Sequence, residues 1–227
     1  MELLLEYGIL GITLLITMGS QAYIKSKYES TKKIKGKKGY QGKDVARKIL
    51  DTNGLKNVKV EKVEGVLSDH YDPTKKVVRL SEEIYDQDSI AAASVAAHEC
   101  GHAIQDKDSY LFLRIRHHLV PLVNFSSTIG YIAILIGVFA GWLHLVYIGI
   151  ALEAVILLFQ LVTLPVEFNA SKRGLNQLEK LNLLEKTEMG NAKGMLTAAA
   201  LTYVAATANA ILQIVRLILI YGRRRDN

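Results

Sequence analysis

Four stretches of the chain are almost free of charge: Leu3 to Ala22, Leu119 to Ala140, Leu145 to Leu164 and Met195 to Tyr221. Each reaches the roughly 20 residues that a helix needs to cross a bilayer. Between the first two, polar and apolar positions alternate on a finer scale. Asp44-Val45-Ala46-Arg47-Lys48-Ile49-Leu50 repeats its apolar residues at helical spacing, and Gly54 stands where such a helix would stop. Val58 to Val63 alternates like a half-buried strand. Asp69-His70-Tyr71-Asp72-Pro73 reads as a turn, and Lys76 to Leu80 as a second short strand whose free edge is a candidate track for an extended peptide. Ala96 to Gln105 reads as a helix, with Asp86, Asp88 and Ser89 as a capping cluster upstream. The fold class this predicts is a mainly α membrane protein: four transmembrane helices plus a small α+β lobe carrying the Ala96–Gln105 helix.

Composition sharpens the division. Of the 227 residues 50% are hydrophobic, but charge is concentrated between Lys25 and Lys107. The segments expected are an anchor at 1–24, a lobe at 25–118, a transmembrane hairpin at 119–164 with its turn at Gly141-Trp142-Leu143-His144, a helix and charged connector at 165–194, and a last span with a basic tail at 195–227. A cleaved signal peptide would carry positive charge before its apolar core, whereas here Glu2 and Glu6 come first and the lysines follow. Lys25, Lys27, Lys32, Lys33, Lys35, Lys37 and Lys38 crowd the far end of the first span, which makes that end cytoplasmic. They supply much of the net charge of +6 and read as a solvated face near anionic lipid, not as a nucleic-acid surface. The same orientation puts Arg223, Arg224 and Arg225 outside, against the charge rule, but exporting the larger lysine cluster would violate it more. Cys100, alone in the chain, excludes an internal disulfide and reads as a small packing residue.

The candidate chemistry lies in His98-Glu99-Cys100-Gly101-His102. Histidines four apart on a helix project from one face and can close on one ion. Two neutral imidazoles and a carboxylate suit zinc, and a fourth position left to water distinguishes a catalytic from a structural site. Glu99 then sits beside the ion as a candidate proton acceptor. The third ligand must come from elsewhere. Glu167 stands out, just where the third span leaves the membrane on the lobe's side, with Ser171 one turn later as a hydrogen-bond partner for a ligand. Glu179, Glu185 and Glu188 look like solvated surface. His117 and His118 point about 100° apart on a helix and read as an interfacial pair, and His144 falls on the opposite side of the membrane.

In the last span Thr202, Asn209, Gln213 and Arg216 share a stripe that should face other helices. Glu153 of the third span is expected to pair with Arg216.

His98-Glu99-Cys100-Gly101-His102-Ala103-Ile104-Gln105, preceded by Asp69-His70-Tyr71-Asp72-Pro73 and followed by Pro165-Val166-Glu167-Phe168-Asn169-Ala170-Ser171, resembles the YugP-like neutral zinc metallopeptidases over nearly the whole chain. More distantly it is similar to the HtpX and CAAX-prenyl-protease class of membrane gluzincins, in which the third ligand is the Glu of an E-x-x-A-D pattern. This chain matches through Ala170 and has Ser171 in place of the Asp. The resemblance implies a zincin-like lobe, Zn2+ held by His98, His102 and Glu167, and Glu99 as catalytic base. Candidate donors to the oxyanion are Arg173, Tyr203 and His70. The reading is a multi-pass membrane endopeptidase whose site lies at the cytoplasmic surface, with polypeptide substrates, the bilayer and membrane proteins as partners and no nucleic acid. Its rivals are a catalytically silent, zinc-stabilised membrane scaffold that binds partner proteins and, more weakly, a small transporter using Glu153.

Overall fold

The computed structural model describes residues 2–222, with side chains from Tyr7 onward; the Arg223–Arg225 tail and the side chains of Glu2 and Glu6 lie outside the described residues. The elements are α1 (Glu2–Lys32), α2 (Gly42–Thr52), β1 (Lys59–Val63), β2 (His70–Asp72), β3 (Val77–Ser81), α3 (Glu82–Asp86), α4 (Ile90–Lys107), α5 (Leu111–Ala140), α6 (Leu143–Lys180) and α7 (Met189–Tyr221). Four of them, α1, α5, α6 and α7, are long and apolar enough to cross a membrane. The fold is mainly α with a small α+β part.

The described chain forms two units. One comprises Ala22–Leu113 together with Pro165–Leu201, and the other holds the remaining parts of the long helices. The first unit therefore takes in the end of α1, where Ile24 and Tyr28 are buried, and the start of α7, where Ala192, Met195 and Ala198 are buried. Its core gathers Val45, Ile49 and Leu50 of α2, Val78 and Leu80 of β3, and the alanine-rich α4. α4 is buried from Ile90 through Gln105 except at the half-buried His98, and its small side chains let the backbone pack closely. Its N-terminus is capped by Ser89, whose Oγ accepts from the Ala92 N–H at 3.1 Å.

The sheet order is β1-β3-β2, with β1 parallel and β2 antiparallel to β3. Two expectations are corrected here. His70–Asp72 is a strand, because the Asp69 carboxylate takes both the Ser81 N–H (2.7 Å) and its hydroxyl (3.1 Å) and docks the segment on β3. The turn proper follows it, where Asp72 Oδ1 accepts from the Thr74 and Lys75 N–H groups. β3 is consequently central and has no free edge; β2 has one.

Lys25, Lys33, Lys35, Lys37 and Lys38 are exposed, as expected of a solvated face, whereas Glu188 differs from expectation. Ile34 O accepts from Ile90 N and Gly36 N donates to Asp88 O, stitching the segment to the start of α4. Lys32 pairs with Glu83 at 2.6 Å and Lys38 with Glu185 at 2.8 Å. Glu188 is buried, its two oxygens accepting the backbone N–H groups of Lys37 and Glu185. Backbone donors with no other partner explain why this carboxylate is inside.

In the second unit the turn at Gly141, whose φ of +71° favours glycine, joins α5 to α6. Gly130, Gly137 and Gly149 line their contact: a β-carbon at Gly137 would meet Val146 Cγ2 at 2.7 Å. Small residues replace the absent hydrophobic drive for association in lipid. From the polar stripe, Asn209 Nδ2 donates to Thr17 Oγ1 of α1 at 2.8 Å. Arg216 Nη1 donates to Gln213 Oε1 at 3.3 Å, and among the described residues no ion pair joins it to Glu153. The neighbour one turn away meets the guanidinium on its own helix.

Candidate metal centre

The centre is built where α4 meets the part of α6 beyond Leu164, within one unit. Two glycines set the approach. A β-carbon at Gly101 would lie 2.3 Å from Ala170 O, and one at Gly174 2.7 Å from Ala97 O. The backbones are therefore in direct contact at both places. Along α6, Glu167, Ala170, Ser171 and Leu178 are buried at helical spacing. Pro165 stands inside α6 without ending it.

This contact puts Glu167 Oε2 at 3.2 Å from His98 Nε2 and 3.6 Å from His102 Nε2. The ligand atoms of the three residues all fall within 4.8 Å of one another, and Glu167 is only 2% exposed. Each ring is turned by its other nitrogen: His98 Nδ1 bonds Ser171 Oγ at 3.1 Å, and His102 Nδ1 bonds Gln105 Oε1 at 3.0 Å. Both Nε2 atoms thus converge with the carboxylate on one point. Two imidazole nitrogens, each backed by an outer hydrogen bond, and a buried carboxylate oxygen fit zinc.

Glu99 is buried next to the triad. Burial is the main cause that pushes its carboxyl up to about 7; His98 opposes this, the charges of Glu167 and Asp69 add to it, and the N–H of Tyr71 on β2 donates to the carboxylate and opposes it. Tyr71 is clamped at its other end, where its hydroxyl donates to Asp106 Oδ2 of α4 at 2.7 Å. Cys100 is turned away into the core, its thiol over Ala46 O at 3.6 Å.

The three candidate oxyanion donors are placed differently. Arg173 has its Nε on Asn169 Oδ1 (2.7 Å) and its Nη1 on Asp108 Oδ2 (2.5 Å). It lines a cavity of about 410 Å³ with Lys107, Lys172 and Gln177. His70 is exposed; strand alternation sends it to the face opposite Tyr71, where its ring bonds Ser68 O (2.8 Å) and Arg79 Nη1 (3.3 Å). Tyr203 belongs to the other unit.

Sequence reasoning passed over Gln105, Asn169, Tyr71 and the two glycines. Glycines inside a helix were the available signal for close backbone approach, and Gln105 lies three residues after His102, on the same helical face.

The family described as "Putative neutral zinc metallopeptidase" matches residues 7–222. The chain belongs to this family. It is 44% identical over 211 residues to the Bacillus subtilis (strain 168) protein named "Putative membrane protease YugP", covering 93% of this chain and 94% of that protein. No solved structure matches it at a significant level. The family's cofactor is zinc, and the His98, His102 and Glu167 cluster is where this member can hold it. With four apolar helices and a membrane relative, this member of the family is a multi-pass membrane protein.

Proposed function

We propose that the chain is a membrane-integrated zinc endopeptidase that hydrolyses peptide bonds of membrane-associated or misfolded proteins at the cytoplasmic membrane surface. The observation that carries this reading is the convergence of two imidazole Nε2 atoms on the Glu167 carboxylate, 3.2 and 3.6 Å away, beside a second buried acid. His98, His102 and Glu167 would hold zinc, which when bound would supply a Lewis acid to polarise the scissile carbonyl and acidify water. Glu99 is buried beside this cluster, where its carboxylate is placed for proton transfer. It accepts a proton from the attacking water and returns it to the leaving amine. Ser171 and Gln105 keep the two rings aimed.

β2 supports the choice of an extended polypeptide as substrate. Its free edge runs beside Glu99, as the Tyr71 N–H to Glu99 bond records. A peptide adding to that edge would pass the carboxylate that handles the proton. This is the role first assigned to β3. Glu167 lies three residues beyond Leu164, or about 4.5 Å of helical rise, which favours substrates in or at the bilayer. Lysines 25–38 at the end of the first span favour the cytoplasmic side.

The test compares membrane fractions from cells making the wild type or Glu99→Gln. Membrane proteins and fragments whose abundance depends on Glu99 are expected. Identical fragment profiles, with a phenotype that needs His98 but not Glu99, would point instead to a zinc-stabilised scaffold.

A further inference from the structure

Gln105 is fully buried and uses both ends of its amide. Its Nε2 donates to Val166 O at 2.8 Å and to Asn169 Oδ1 at 3.0 Å, both on α6. Its Oε1 receives His102 Nδ1 at 3.0 Å. The direction of this chain is not free. A backbone carbonyl can only accept, so the Gln105 nitrogen must face Val166. Asn169 repeats the constraint: the guanidinium of Arg173 has donors only, and its Nε lies 2.7 Å from Asn169 Oδ1, so that oxygen faces Arg173 and Gln105 alike. Turning the Gln105 amide over would set its oxygen against two acceptors and lose both bonds inside the core. The oxygen is thereby committed to His102, whose Nδ1 must carry the proton and whose Nε2 must keep its lone pair.

We propose that Gln105, oriented by Val166 O and by the Asn169–Arg173 pair, is a positioning residue that fixes the metal-binding tautomer of His102 and ties it to the helix carrying Glu167. Val166 immediately precedes Glu167, so one side chain spans two ligands supplied by different helices. This gives Arg173 a role other than contact with substrate: it is the donor-only end that sets the polarity of the relay. The inference rests on the reading of His98, His102 and Glu167 as the zinc ligands.

The test uses the full chain in detergent and measures three things: zinc affinity by chelator competition, the absorption spectrum after cobalt(II) substitution, and melting of the chelated protein. In Gln105→Met, of similar size but unable to accept or donate as the amide does, zinc affinity falls about 10–100-fold, the range for loss of an outer-shell partner, and the cobalt spectrum shifts. Should that variant fail to fold, Gln105→Asn, which keeps the amide but is one methylene short of spanning the helices, carries the same expectation. A variant that lowers only the melting temperature, with zinc affinity and cobalt spectrum as in the wild type, overturns the proposal. His102→Ala separates this failure from the other: if it binds zinc as tightly as the wild type, the ligand assignment is what falls.

Discussion

A β-carbon at Gly101 would sit 2.3 Å from the carbonyl oxygen of Ala170, so α4 and α6 touch backbone to backbone one turn from Glu167. The ligand-bearing helices can come no closer and, with a larger residue at either position, could not come as close. Gly101→Ala sets two effects against each other. Helix propensity favours Ala by about 1 kcal/mol, but the clash is with backbone that cannot turn aside, and overpacking costs roughly 1–3 kcal/mol or more. The variant is therefore expected to melt lower and to bind zinc more weakly. Gly194→Ala is the control, since nothing lies within 4 Å of its β-carbon, and melting should rise. Unchanged melting and zinc binding in Gly101→Ala would mean that the contact does not set the spacing.

Tyr71 holds β2 over α4 through its hydroxyl bond to Asp106, which also pairs with Lys76 at 2.5 Å. Tyr71→Phe should cost on the order of 1–2 kcal/mol, as a hydrogen bond to a charged, partly buried acceptor does. If β2 aligns the substrate, KM for a peptide substrate should rise more than kcat falls. Steady-state kinetics on one peptide decide this, and a loss confined to kcat would argue against the strand as the docking edge.

Metal-free protein should be less stable at alkaline than at acidic pH on account of Glu99. The sign follows from the raised carboxyl: folding favours its neutral form, so this contribution is complete below the unfolded value of 4.5 and is lost as pH rises through about 7. A shift of that size corresponds to the order of 3 kcal/mol. Between pH 5 and 8.5 the melting temperature of the chelated wild type should fall relative to that of chelated Glu99→Gln, most of the loss coming below about pH 7. Parallel curves would show that the carboxyl ionises normally.

Glu167→Gln keeps the shape of the side chain and removes its charge. Zinc should dissociate far more readily, because a neutral amide is a poor third ligand beside two imidazoles. Metal analysis after dialysis against a weak chelator reads this directly. Retention equal to the wild type would leave the third ligand unassigned.

Much of this was legible in the chain before its fold. The four apolar tracts, the helical spacing of His98 and His102 and the place of Glu167 after the third span are local signals, and the helices run where those signals put them. What escaped depended on partners distant in sequence. Asp69-His70-Tyr71-Asp72-Pro73 carries the composition of a turn, and only the grip of Asp69 on Ser81 makes it a strand. Glu188 looked like its solvated neighbours until two backbone N–H groups claimed it. Arg173 stood a turn and a half beyond Glu167 and suggested a substrate contact, whereas Asn169 and Asp108 hold its guanidinium. Pairings of this kind leave no periodic trace, so neither spacing nor composition could reveal them.

The most direct measurement is proteolysis by purified Glu99→Gln with zinc content determined on the same sample. Zinc bound as in the wild type, with cleavage of a membrane-protein substrate reduced by about a hundredfold or more, is the expected result for a lost general base. Wild-type cleavage by a zinc-loaded Glu99→Gln would contradict the account.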